Sequence, residues 1–248
     1  MTRILAISGL TEDEHGNKGS AGAGKDTIAS LFVQNHRAVR VGLGDMMKRI
    51  AKDVYDFSDE QLWGPSECRN APDFRYPRPG PYAEAARHMY NVAAGRADEE
   101  DMQYWGPLGW LTPRHCLQIL GSEWGRDNFE FTWVLPVLKI SKDLEAGDYD
   151  YDHKVGLVAR LHPPHKPPPF VVIPDIRFPS TMSFLASKGG ANIRVKRRMN
   201  VLGGQAAQHD SETALLRTPD SAFDHVIENT TLESLPEKVE ALALALAK

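Results

Sequence analysis

The stretch Gly19-Ser20-Ala21-Gly22-Ala23-Gly24-Lys25-Asp26-Thr27 has the spacing G-x-x-x-x-G-K of a loop that wraps phosphate. Small residues let successive backbone N–H groups turn inward around an anion, and a helix starting at the loop's end adds the positive end of its dipole. In such loops the lysine reaches the β and γ phosphates of a nucleotide, and the next residue is ordinarily a Ser or Thr that binds Mg²⁺. Here Asp26 holds that position and Thr27 follows it. The bland alternative, a glycine-rich surface turn with an incidental lysine, needs neither a buried strand before the loop nor a helix after it. Both are expected: Ile4-Leu5-Ala6-Ile7 is a short apolar run, and beyond Lys25 the residues Ile28, Leu31 and Phe32 share one helical face. The polar stretch Leu10 to Lys18 lies between strand and loop, and reads as an insertion that lengthens the loop's first limb.

Working outward, 248 residues can bury a full core, and one α/β domain with insertions is the economical organisation. The balance of 29 basic against 33 acidic residues argues against a protein built to grip duplex nucleic acid, whereas small anionic ligands need only a local cluster. Cys68 and Cys116 are too few for a disulfide framework or a zinc site, so a reduced cytoplasm is the expected setting. No long apolar segment suggests a signal peptide or a membrane span.

Further strands are expected over Ala38 to Leu43, Phe170 to Ile173, Asn192 to Lys196 and His225 to Ile227, with helices between them, the pattern of a parallel sheet. Helices are expected over Asp45 to Val54, from the capping box Ser58-Asp59-Glu60-Gln61, and over Tyr82 to Ala94. Another runs from Thr112-Pro113 to about Trp124, with Leu117, Leu120 and Trp124 as its apolar stripe and Arg114 and Gln118 on another face. Later helices cover Ser180 to Lys188 and Leu232 to Ala247. Trp63 to Pro81 reads as a loop, and Ser141 to Pro169, with its acidic run and prolines, as the least ordered part.

In an open parallel sheet, ligands bind beyond the carboxyl ends of the strands, and the chemistry-bearing residues collect there. Gly19 to Asp26 follow the first strand, Asp45 the second, Asp175 and Arg177 the run Phe170 to Ile173, and the cluster Arg194, Lys196, Arg197 and Arg198 the next. Asp175 suits a carboxylate that holds Mg²⁺ directly or through water, against the plainer role of a helix cap near Pro179. Arg177 would reach the phosphates, and Arg197 and Arg198 would close over the transferring phosphoryl group, unless they only solvate a face. His115 and His209 are lone histidines, a pattern more often structural than catalytic.

Several segments together resemble the bacteriophage deoxynucleoside monophosphate kinases. They are Gly24-Lys25-Asp26-Thr27, Leu43-Gly44-Asp45-Met46-Met47-Lys48, Phe57 to Gly64, Thr112-Pro113-Arg114, Leu120 to Arg126, Asp175-Ile176-Arg177-Phe178-Pro179 and His225 to Asn229, in the family's order and over most of the chain. The resemblance implies an NMP-kinase-like three-layer α/β/α fold of the P-loop class, with a central parallel sheet and helical insertions: an acceptor-binding one over about 45–142 and a lid over about 197–212. It implies transfer of the γ-phosphoryl of ATP to a deoxynucleoside 5′-monophosphate with Mg²⁺, in the host cytoplasm if the gene is a phage's. Gly19, Gly22, Ala23, Gly24, Lys25, Asp26 and Thr27 would serve ATP, and Asp26 and Asp175 the metal. Lys25, Asp175, Arg177 and Arg197 would carry the transfer, while Asp45, Lys48, Arg69, Arg114, Gln118 and Arg126 would face the acceptor. Where the family has Asn-Glu after Arg177-Phe178-Pro179, this chain has Ser180-Thr181, so the glutamate's role falls away or passes elsewhere, for example to Glu212. A homodimer is compatible with this reading; stable nucleic-acid or membrane binding is not expected. The competing readings are a kinase of another small phosphate, as in the phosphomevalonate kinases, and a nucleotide-dependent switch or DNA-directed ATPase. An N-K-x-D base-reading motif and a broad basic composition, which the last two would favour, are lacking.

Overall fold

The computed structural model describes residues 2–78, 109–162, 165–199 and 213–247. In chain order its elements are β1 (Arg3–Glu12), β2 (Lys18–Gly19), α1 (Lys25–His36), β3 (Val39–Arg40), α2 (Asp45–Tyr55), α3 (Asp59–Trp63) and α4 (Ser66–Asn70). There follow β4 (Asp73–Pro77), β5 (Trp110–Leu111), α5 (Pro113–Ile119) with a π-helical extension (Leu120–Arg126), α6 (Val134–Ala146), β6 (Tyr149–Asp152) and β7 (Gly156–Ala159). The chain closes with β8 (Phe170–Ile173), α7 (Pro179–Ser187), β9 (Ala191–Arg198), β10 (His225–Glu228) and α8 (Leu235–Leu246). The helix expected over Tyr82 to Ala94 and most of the expected lid lie outside the described residues.

Two compact units emerge, a sheet unit of Met1–Asp45 with Trp133–Lys248 and an inserted unit of Met46–Thr132. The sheet unit is built on the order β10-β9-β1-β8-β3, with these strands parallel throughout. β8 is buried at every residue, as a central parallel strand with both faces covered must be. Leu5, Ile7, Val172, Ile193 and Val195 pack on one face with Ile28, Ala29 and Phe32 of α1 and with Leu235, Val239 and Leu242 of α8. On the other face Asn192 donates to the Met182 carbonyl of α7 at 3.3 Å. Helix, sheet and helix make three layers, the expected α/β class.

Several expectations are refined or corrected. The insertion Leu10 to Lys18 is built as a hairpin: β1 continues to Glu12 and returns as β2, pairing Thr11 with Gly19 and Glu12 with Lys18. Its turn is tied by Asp13, whose Oδ1 accepts the His15 and Asn17 amides at 2.9 and 2.8 Å. Ser141 to Pro169 begins inside α6, and its acidic run is the strand β6, paired antiparallel with β7. The alternation Tyr149-Asp150-Tyr151-Asp152 carries period two, a strand signal that its charge obscures. The second strand is shorter than expected, because the chain turns at Gly42 to start α2.

In the inserted unit, Ser58 and Gln61 form the expected capping box on α3. Over its described residues, 63–78, the expected loop Trp63 to Pro81 holds α4 and β4, with Pro65 and Pro77 at their boundaries, where proline is tolerated. α5 starts on the Thr112 cap as expected and reaches the expected end near Trp124, but its last part, Leu120–Arg126, is π-helical. The wider turn carries Trp124 off the stripe of Leu117 and Leu120, which pack on Phe57, Leu62 and Cys116, and leaves it 56% exposed.

Candidate active site

The glycine-rich loop joins β2 to α1 at the carboxyl end of β1. Gly24 caps α1 with φ at 100°, a left-handed conformation costly to any residue with a Cβ. Gly9 of β1 admits the loop itself, since a Cβ there would lie 2.7 Å from the Ser20 carbonyl and 2.9 Å from the Ala23 Cβ. Ala23 is buried, while Gly22, Asp26 and Thr27 lie exposed.

Cations converge on this loop from the other strand ends. Lys25 Nζ donates to Asp26 Oδ2 at 2.7 Å, and Arg40, at the end of β3, reaches Asp26 Oδ1 at 3.4 Å. Partial desolvation by the neighbouring groups pushes the Asp26 carboxyl up, but Lys25 and Arg40 outweigh it and hold the group below its ordinary range. Arg177, after β8, donates from Nη1 to the Ser20 hydroxyl at 3.4 Å. Arg197, near the end of β9, donates to the Gly22 carbonyl at 3.4 Å. Lys25, Arg177 and Arg197, three residues distant in sequence, therefore stand around one loop.

Two other members of the basic cluster, Arg194 and Lys196, are held in structural contacts. Arg194 is only 2% exposed; its guanidinium donates to the Thr218 and Leu215 carbonyls and to Asp220, and lies 4.0 Å from the Phe223 ring centroid. Lys196 pairs with Asp220 and Glu228, and the Asp220 bond first of all pushes its ammonium pKa up. Arg198 is exposed at the end of β9.

Asp175 and Asp45 meet at the turn before α2. Asp175 accepts the Leu43 and Gly44 amides at 2.9 and 3.0 Å, and Asp45 accepts the Gly42 amide at 2.8 Å and the Tyr151 hydroxyl at 3.1 Å. Consecutive amides ahead of a helix thus find acceptors in two carboxylates, the need that every helix start presents. Asp175 does not cap the helix at Pro179, whose preceding residue makes no side-chain cap bond. Each ionised carboxylate retains further lone pairs. Thr181 is buried in α7, so it does not replace the family's glutamate, and Glu212 lies outside the described residues.

Within the inserted unit, Arg69 Nη2 and Arg114 Nη2 both donate to the Ser66 hydroxyl, at 3.2 and 3.4 Å, and Arg114 Nε donates to Asn70 Oδ1 at 2.5 Å. Two guanidiniums brought to one hydroxyl make a local positive site. Gln118 is half-buried one turn beyond Arg114. Arg126, in the π-helical turn, donates to Glu130 at 3.4 Å, and Lys48 Nζ lies 5.6 Å from the Trp63 ring centroid. Burial holds the His115 imidazole below its ordinary pKa, consistent with a structural histidine.

Arg40, Asn229, Ser66 and Asn70 were missed as site residues. The first two sit at or just past the carboxyl ends of parallel strands, a positional signal equal to that of Asp175. Ser66 and Asn70 gave none. A cavity of about 770 Å³, lined by Arg3, His36, Phe170 and Lys188 among others, opens at the amino ends of the strands, away from these cations. Among the described residues no group of three or more His, Cys, Asp or Glu is placed to hold a metal.

A central parallel sheet with helices on both faces, and a glycine-rich loop at the end of its middle strand, is an α/β fold consistent with a P-loop NMP-kinase-like domain. The chain is 26% identical over 226 residues to a protein of Acanthamoeba polyphaga mimivirus named "Putative deoxynucleotide monophosphate kinase", covering 90% of this chain and 92% of the relative. That similarity supports a nucleotide kinase. No protein-family model matches the chain.

Proposed function

We propose that this protein is a deoxynucleoside monophosphate kinase that transfers the γ-phosphoryl of ATP to a dNMP, giving dNDP and ADP for DNA precursor supply, in the cytoplasm of the host if a phage encodes it. The observation that carries the reading is the convergence of Lys25, Arg177 and Arg197 on the loop Gly19 to Thr27. Loop amides would hold the ATP phosphates, and the three cations would neutralise charge on the equatorial oxygens of the transferred group, where fixed positive charge lowers the barrier.

The acceptor is already an anion, so no strong general base is needed; an acceptor phosphate oxygen bonds to the γ-phosphorus as the bond to the β–γ bridging oxygen breaks. Arg69 and Arg114, organised by Ser66, would bind the acceptor phosphate bidentately, with Lys48, Gln118, Arg126 and Asp45 completing that half. Asp26 and Asp175 would hold Mg²⁺ at the loop, where it would supply positive charge against the phosphates. Asp26 and Asp175 fit it: Mg²⁺ is usually held by one or two carboxylates with phosphates and water rather than by a protein cage, and both carboxylates keep acceptor capacity. No helix among the described residues is long and apolar enough to cross a membrane.

A coupled ADP-release assay with ATP, Mg²⁺ and each deoxy- and ribonucleoside monophosphate, with phosphomevalonate as a control acceptor, tests the reading. ADP release that depends on a dNMP is expected. Release only with phosphomevalonate, or none with any acceptor, overturns it.

A further inference from the structure

Asn229 follows β10 and is only 3% exposed. Its backbone N–H donates to the Lys196 carbonyl at 2.7 Å, so the sheet fixes its main chain. Its side-chain Nδ2 donates to the Ala23 carbonyl of the glycine-rich loop at 2.8 Å. The same nitrogen would lie 2.4 Å from a Cβ on Gly24, so the amide fills the space that glycine leaves. By comparison, the Arg177 and Arg197 bonds to the loop are both 3.4 Å. The Asn229 bond is shorter, buried and drawn from a rigid strand end.

A trans peptide points its C=O and N–H in opposite directions. Anchoring the Ala23 carbonyl on Asn229 therefore fixes the Gly24 N–H, which belongs to the same peptide plane, pointing away from Asn229. We infer that Asn229 is a positioning residue for the nucleotide loop, setting the peptide that presents the Gly24 N–H to phosphate. This inference rests on the assignment of ATP to that loop. Asn229 touches no reacting atom; it acts through the loop, and a carboxylate in its place would face the Ala23 carbonyl without a donor.

The test compares the wild type with Asn229→Asp, Asn229→Ala and Lys25→Ala, reading ADP affinity by calorimetry, KM for ATP and for the dNMP, and the melting temperature without nucleotide. Both Asn229 variants should bind ADP about tenfold more weakly and raise KM for ATP similarly, while KM for the dNMP stays within about twofold. Asn229→Asp preserves shape, so it keeps the comparison open should Asn229→Ala fail to fold. If the Asn229 variants melt lower yet bind ADP as the wild type does, the residue only packs and the inference falls, provided Lys25→Ala is impaired. If Lys25→Ala also binds and turns over normally, the nucleotide assignment itself falls.

Discussion

The sheet unit and the inserted unit each gather arginines, but by different means. In the sheet unit the glycine-rich loop, Arg177, Arg197 and Asn229 all hang from the carboxyl ends of parallel strands whose register is fixed by backbone ladders. In the inserted unit Arg69 and Arg114 come from short helices, and hydrogen bonds between side chains, through Ser66 and Asn70, bring them together. Backbone placement tolerates side-chain loss; side-chain placement depends on every partner. A site of the first kind should fail through its chemical groups, and one of the second kind should degrade in steps as its hydrogen bonds are removed.

The strongest test of that difference is Lys25→Ala, which removes a cation without touching the scaffold. Turnover should fall by about a thousandfold, with the melting temperature nearly unchanged. Near-normal phosphoryl transfer by the variant would detach the loop from catalysis.

Acid should expose the inserted unit's dependence on side chains. Arg75, through a hydrogen bond to the buried Asp73, holds that carboxyl down at about 2 against the ordinary 3.8, with Gln61 donating to it as well. A depressed carboxylate pKa stabilises above the unfolded-state value and loses that contribution as pH falls through the folded one. Asp73 should therefore contribute about 2 kcal/mol above pH ~4, vanishing toward pH ~2. Urea unfolding of wild type and Asp73→Asn checks this; a difference that stays constant over that window would remove the ion pair from the stability of the unit.

Arg114→Ala should raise KM for the dNMP about tenfold and leave KM for ATP within about twofold, as loss of a charge-assisted phosphate contact would. Equal effects on both substrates would take Arg114 out of the acceptor half.

What the sequence made legible follows the same division. Phe170-Val171-Val172-Ile173 is apolar on both faces, so it announces a central parallel strand, and the residues after each strand could be assigned to one end of a sheet. The loop's approach to β1 was less legible, because Gly9 and Asn229 matter through distances that no local pattern encodes. Charge also misled: Arg194 looks like part of a surface cluster, yet its guanidinium is buried under carbonyls, Asp220 and Phe223. In the inserted unit, Ser66 and Asn70 lie in a segment whose prolines suggested a loop. Their role emerges only when a one-turn helix brings the hydroxyl beside two guanidiniums, and nothing in the residue types alone requires that.

Ser66→Ala is the smallest and most discriminating change. The hydroxyl carries no charge and would not itself supply the acceptor's binding energy; it aligns two cations whose charge remains after it is removed. An uncharged hydroxyl at the lower end of net hydrogen-bond contributions, about 0.5–1 kcal/mol, then predicts a rise of roughly twofold to fivefold in KM for the dNMP. Arg69 and Arg114 would keep their long-range attraction and lose only their common orientation, so kcat should hold and the salt dependence of KM should match that of the wild type. A loss as large as that of Arg114→Ala would mean that the hydroxyl meets the acceptor directly. No change at all would mean that α4 and α5 place the guanidiniums by packing alone, and the contrast between the two units would then disappear.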